Sequence, residues 1–124
     1  EPLMTDGGAL FSMSYHGADR VIGNYGMMGP VKAALEATTR YMASELAPRG
    51  IRVHALSPGP MQTRAASGLR GFDDLLARAA ERTPGGSLAS IDDVGFACAN
   101  LATDAARHMT GQTLYIDGGL HIMG

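Results

Sequence analysis

Two short apolar runs, Gly8 to Tyr15 and Ile51 to Ser57, enclose a segment with a different rhythm. From Met27 to Ala47, Val31, Leu35, Thr38, Met42 and Leu46 recur at three- and four-residue spacing, the pattern of an amphipathic helix. A strand, a helix and a second strand in that order point to a parallel pair joined by a helical crossover. Punctuation sharpens the bounds. Pro30 is tolerated only in the first helical turn, where its missing amide costs nothing, so the helix is expected to begin near Met27. Pro48 and Gly50 end it, and Pro58-Gly59-Pro60 stops the second strand.

The remainder continues the alternation. Gln62 to Gly71 is polar and reads as a loop, and Phe72, Leu75, Leu76, Ala79 and Ala80 mark a short helix closed by Pro84-Gly85-Gly86. Ser90 and Asp93 have the spacing of a capping box, with Asp in place of the usual Glu or Gln. Val94, Cys98, Leu101 and Ala105 then carry a third helix, and Thr113 to Asp117 a third strand ending at Gly118-Gly119. The expectation is an α/β domain with about three parallel strands and helical crossovers, sharing one core. Ligands of such sheets bind beyond the carboxyl ends of the strands. Those ends are Ser14-Tyr15, Ser57 to Pro60 and Asp117 to Gly119, and Tyr25 and Lys32 directly follow the first.

Composition removes several classes of partner. The 124 residues carry a formal net charge of -2 and show no basic stripe, so nucleic acid is not expected. No apolar run approaches the roughly 20 residues that span a bilayer. Cys98 is the single cysteine, which forbids an internal disulfide and suits a reducing, cytoplasmic setting. Its apolar helical surroundings suit a core thiol better than a nucleophile. His16, His54, His108 and His121 lie in different segments without metal-ligand spacing, so structural or solvated roles are expected and no metal.

Among ten Lys and Arg residues, Lys32 is the sole lysine, and it stands seven positions after Tyr25. Seven helical residues turn through about 700°, which returns nearly to the starting azimuth, so both side chains can share one face with Gly29 between them. An ammonium beside a phenol favours phenolate and strengthens the hydroxyl as a donor or acid. Spacing alone equally fits a Tyr25 that merely ends a loop and a solvated Lys32.

The stretch "SYHGADRVIGNYGMMGPVKAALEATTRYMASELAPRGIRVHALSPGPMQTRAASG" resembles the enoyl-acyl-carrier-protein reductases of the short-chain dehydrogenase/reductase superfamily. That family sets its tyrosine and lysine seven apart, as Tyr25 and Lys32 stand, with a further tyrosine matching Tyr15. Ser57 to Pro60, Thr63, Ala65-Ala66-Ser67-Gly68 and the ending "TGQTLYIDGGLHIMG" extend the likeness along nearly the whole chain. Gly23, Gly26, Asp19 and Pro30 depart from the usual family residues without removing a reacting group.

The resemblance implies a Rossmann-like fold and reduction of the trans-2 double bond of an enoyl thioester by NADH or NADPH, within fatty acid biosynthesis. Tyr25 would hydrogen-bond the thioester carbonyl, Lys32 would hold the nicotinamide ribose and support Tyr25 electrostatically, and Tyr15 would line the acyl pocket as a third catalytic-site residue. Pro60, Met61 and Thr63 would border the cofactor. Ala65, Ala66 and Phe72 would contact substrate within a lid spanning about 62–83. The implied partners are an enoyl thioester on acyl carrier protein or coenzyme A, and further copies of the chain in a homo-oligomer, a tetramer by family resemblance. No glycine-rich G-x-G-x-x-G turn occurs before Tyr15. Residues 1–124 are therefore expected to form a single partial domain, the carboxyl-terminal half, needing its amino-terminal half for activity. Two alternatives remain: a related reductase acting on another carbonyl, and a non-catalytic oligomerisation or binding fragment.

Overall fold

The computed structural model describes residues 3–63 and 72–123. Three strands, β1 (Gly8–Met13), β2 (Ile51–Pro58) and β3 (Thr113–Ile116), form one parallel sheet in the order β1-β2-β3. Gly8 pairs with Ile51 through to Met13 with Leu56, and Ala55 pairs with Thr113 through to Pro58 with Ile116. The helices are α1 (Met28–Leu46), α2 (Phe72–Arg82) and α3 (Ile91–Ala102). The α/β fold with parallel strands and helical crossovers is as the alternation predicts, and strand ends differ from expectation by a residue or two.

β2 is buried almost throughout, as a central parallel strand must be when both faces are covered. α1 lies on one face, where Thr39 Oγ1 is 3.2 Å from Ser12 Oγ of β1. α3 lies on the other, where Leu56 packs with Val94, Leu101 and Ala106. Cys98 packs against that cluster, in keeping with a core thiol. His54 is fully buried in β2, and burial holds its imidazole below 6.5. Arg52 reaches past the sheet to donate to the carbonyls of Ala102 and Thr103 at 3.2 and 2.9 Å, satisfying the carboxyl end of α3.

The buried face of α1 differs from the predicted stripe. Val31 is 52% exposed and Met42 36%, and Thr38 is exposed as well. The residues pressed to the sheet are Thr39 and Ala43, with Leu35 and Leu46 half-buried. The Thr39 hydroxyl stays satisfied there by bonding Leu35 O at 3.0 Å. Pro30 falls in the first turn, and Gly50 takes the left-handed conformation just past the helix end, with φ 68°.

Ala105 is a second correction. α3 stops at Ala102 because Thr103 leaves the helical conformation and its hydroxyl bonds Asn100 O at 2.7 Å. The chain then turns through Asp104–Ala106, so Ala106 is buried in place of Ala105. No helix among the described residues is long and apolar enough to cross a membrane.

The Ser90–Asp93 capping box forms in full: Ser90 N donates to Asp93 Oδ2 at 2.7 Å, and Asp93 N to Ser90 Oγ at 3.2 Å. Bonds from the Ser90 backbone and then its hydroxyl hold the Asp93 carboxyl below 3.8. Replacing Ser90 by Ala should cost about 1 kcal/mol, read as a lower urea midpoint at unchanged slope. A depressed native pKa stabilises above the unfolded value. The difference between wild type and Asp93→Asn should therefore be present at neutral pH and fade as pH falls through the native pKa of Asp93.

Candidate active site

Because the three strands are parallel, their carboxyl ends converge on one edge of the sheet. β1 delivers Ser14 and Tyr15 there, held by a 2.7 Å bond from Ser14 N to Leu56 O. The chain then coils through a short 3-10 turn, His16–Ala18, and reaches Tyr25 by a further series of turns. Tyr25 lies between two left-handed residues, Asn24 (φ 62°) and Gly26 (φ 53°). It precedes α1 and is not on it, so Tyr25 and Lys32 do not share a helical face as the spacing predicts.

What positions Tyr25 is contact with glycine. A Cβ on Gly17 would stand 2.7 Å from Cδ1 and Cε1 of the Tyr25 ring, and a Cβ on Gly29 would stand 3.0 Å from the carbonyl of Gly17. The α1 backbone, the 3-10 turn and the phenol ring are thus stacked with no room for a methyl group. Gly29 serves that approach and does not open a gap between Tyr25 and Lys32. The Tyr15 and Tyr25 rings lie 5.2 Å apart at 60°, and Tyr15 tilts over His16 at 4.4 Å.

Lys32 Nζ donates to Met13 O, the last carbonyl of β1, at 2.7 Å. Burial raises the Tyr25 phenol above its ordinary 10.0, and burial followed by repulsion from Tyr25 raises Tyr15. The acidification expected from a neighbouring ammonium is absent, because Lys32 is directed at the strand end. Both phenols are therefore protonated at neutral pH, as hydrogen-bond donors must be.

The β2 end supplies Pro60, which is buried and borders the same cavity as Tyr15. A Cβ on Gly59 would come within 3.1 Å of Asp117 Cβ, which draws the β2 and β3 ends together. Met61 packs against the Leu56 core, and Thr63 is half-buried. Ala65 and Ala66 lie outside the described residues. Phe72 opens α2, and its side chain lies outside the described set as well. Much of the stretch 62–83 is helical, since α2 occupies Phe72–Arg82.

Several residues near the site carry no sequence pattern of their own. Buried Asp117 accepts from Gly119 N at 3.0 Å, His121 N at 2.8 Å and His121 Nδ1 at 2.9 Å, and Tyr115 stacks on His121 at 3.9 Å. An Asp before Gly-Gly is a turn signal, which could have flagged this network. Ser14 Oγ bonds the Glu36 carboxylate across the sheet end. Arg20, Arg78 and Arg82 meet at a cavity of about 600 Å³ beside Tyr15 and His16, a convergence of distant segments that no local motif announces. Among the described residues no three His, Cys, Asp or Glu side chains gather to hold a metal ion.

A parallel α/β sheet whose strand ends present a tyrosine pair, a strand-anchored lysine and a Pro-Gly-Pro turn defines a Rossmann-like protein of the short-chain dehydrogenase/reductase type. The family model described as enoyl-(acyl carrier protein) reductase matches residues 1–121, and the chain belongs to that family. It is 43% identical over 124 residues to the NADH enoyl-acyl-carrier-protein reductase FabI of Synechocystis sp., covering 100% of this chain and 48% of that protein. Among solved structures, the Bacillus cereus enoyl-acyl carrier protein reductase with NADP+ and indole naphthyridinone matches with TM-score 0.95 and 40% identity, over 99% of this chain and 48% of that one. The Anaplasma phagocytophilum reductase in complex with NAD matches with TM-score 0.89 and 39% identity, over 99% of this chain and 45% of that one. The chain spans about half the length of the curated relatives it matches.

The glycine stack makes a direct prediction. Gly17→Ala should destabilise the protein by about 1–3 kcal/mol in chemical denaturation, through forced displacement of the Tyr25 ring. In a Tyr25→Ala background most of that cost should vanish, because the clashing atoms are gone.

Proposed function

We propose that the protein carrying this chain reduces the trans-2 double bond of an enoyl thioester with NADH or NADPH, in fatty acid biosynthesis, and that this chain contributes the Tyr25/Lys32 part of the active site. The observation that carries the reading is the protonated tyrosine pair, with rings 5.2 Å apart, at the carboxyl edge of a parallel sheet. Names of the relatives support the same reaction and the same cofactors.

The residues present fit the nicotinamide end of such a cofactor. An ammonium has three N–H donors, and Lys32 spends one on Met13 O, leaving the others for ribose hydroxyls. Pro60, Met61 and Thr63 lie on the segment that leaves β2 at this edge and would border the ring and pyrophosphate. When bound, the cofactor supplies hydride to the β-carbon of the substrate.

As that bond forms, electron density moves through the former double bond to the thioester oxygen. The Tyr25 phenol donates its proton in a hydrogen bond to that oxygen and stabilises the developing enolate charge. Partial burial raises the phenol, which therefore stays protonated at neutral pH and able to donate to that oxygen. Tyr15 packs against Tyr25 and lines the cavity in which the acyl chain would lie. Lys32, tied to β1, fixes the ribose relative to Tyr25. The enolate then collapses to the thioester by taking a proton from solvent water at the α-carbon, which completes the reduction.

The test is loss of NAD(P)H absorbance with crotonyl thioesters, measured on the intact protein that carries this chain. Tyr25→Phe should lower kcat by roughly 100- to 1,000-fold, the scale of losing one charge-stabilising donor. Turnover by that variant at the wild-type rate would remove Tyr25 from the reaction, and reduction of ketones without enoyl thioesters would replace the substrate class. Because the native phenol titrates above 10.0, kcat/KM should lose its Tyr25-dependent component only as pH rises past that value.

A further inference from the structure

Resting on the enoyl-thioester reading, we propose that His121 is a positioning residue for the acyl end of the cavity: through Asp117 it holds the turn bearing Leu120 and Met123, the wall on which chains longer than crotonyl rest. That turn is a short 3-10 segment, Leu120–Ile122, directly after two left-handed glycines, Gly118 (φ 64°) and Gly119 (φ 92°). Its backbone bonds are long: Leu120 N to Asp117 O at 3.2 Å, Ile122 N to Gly119 O at 3.3 Å and Met123 N to Leu120 O at 3.2 Å. Glycine loses the most conformational freedom on folding, and 3-10 hydrogen bonds are poorly aligned, so the turn needs an anchor outside its own backbone.

Asp117 is that anchor. Its side chain is 3% exposed, and it accepts from Gly119 N at 3.0 Å, His121 N at 2.8 Å and His121 Nδ1 at 2.9 Å. Any residue but proline would supply the two amides; the imidazole is the donor that the sequence specifies. A carboxylate only accepts, so Nδ1 carries the proton of this pair. Tyr115 of β3 stacks on the same ring, with centroids 3.9 Å apart and planes at 9°, so His121 is held at its edge by Asp117 and over its face by Tyr115. A buried carboxylate that loses a donor is costly, so the imidazole bond bears on the whole turn.

Another side of the turn faces the cavity. Residues three apart in a 3-10 turn eclipse one another, and Leu120 and Met123, three apart, both line the cavity together with Tyr15 and Pro60. Arg20, on the segment that joins Tyr15 to Tyr25, donates to Met123 O, so this wall is tied to the loop that carries both tyrosines. A crotonyl chain ends near its thioester, whereas each further methylene extends along the cavity, and burying it against apolar side chains strengthens binding. Leu120 and Met123 are such side chains, and His121 fixes where they stand.

The experiment compares trans-2-octenoyl-coenzyme A with crotonyl-coenzyme A, which differ in chain length alone, on the intact protein that carries this chain. Wild type should have the larger kcat/KM for octenoyl. His121→Phe keeps an aromatic face for Tyr115 but offers Asp117 no N–H, and should cut the octenoyl-to-crotonyl ratio about tenfold, mainly through KM of the longer substrate. His121→Asn places an amide N–H where Nδ1–H stands and should restore most of that ratio. Met123→Ala changes the cavity wall with the Asp117 anchor intact; it should lower the same ratio, and it decides the matter if His121→Phe does not fold. No octenoyl preference in wild type, a ratio unchanged in His121→Phe or Met123→Ala, or His121→Asn no better than His121→Phe overturns the positioning role while leaving the reductase reading intact. Failure of wild type to reduce either thioester overturns the reductase reading, and the proposal with it.

Discussion

The structure depends on β2. Hydrogen bonds on both edges and helices on both faces bury this strand almost throughout, with Arg52 reaching out to α3 and His54 enclosed, and Pro58-Gly59-Pro60 ends it sharply. A strand held in this way fixes where its neighbours stop. Ser14 N bonds Leu56 O, and Gly59 N bonds Ile116 O, so the three strand ends lie in register at one edge. The described residues of the candidate site are assembled on that edge.

At that edge the geometry is set by close backbone contact more than by charge pairing. The Gly29–Gly17–Tyr25 stack fixes the phenol against the start of α1, and the Gly59–Asp117 approach fixes the ends of β2 and β3 against each other. Burial raises both tyrosines, which stay protonated at neutral pH, while Lys32 is oriented by a backbone carbonyl. The lysine's position is thus inherited from the sheet.

The wall opposite the tyrosines is different in character. α2 presents an apolar row beside a charged row, and the arginines on it come together with Arg20 from a segment more than fifty positions away in the sequence.

Periodicity and punctuation were enough to read the order of elements, the parallel sheet and most boundaries, because strand and helix repeats differ and Pro and Gly act locally. Resemblance through Tyr15, Tyr25 and Lys32 gave the family, since those types at that spacing are rare by chance. Packing was not legible. The buried face of α1 runs through Thr39 and Ala43, while Val31 and Met42 of the periodic stripe are exposed. Tyr25 lies off the helix because Asn24 and Gly26 turn the chain before α1 begins. The Asp117–His121 pair and the arginine-lined cavity join residues whose proximity has no local signature. The sequence by itself determined which elements form and which residue types stand near the strand ends; only the tertiary structure decided which faces meet, because that depends on how closely backbones approach.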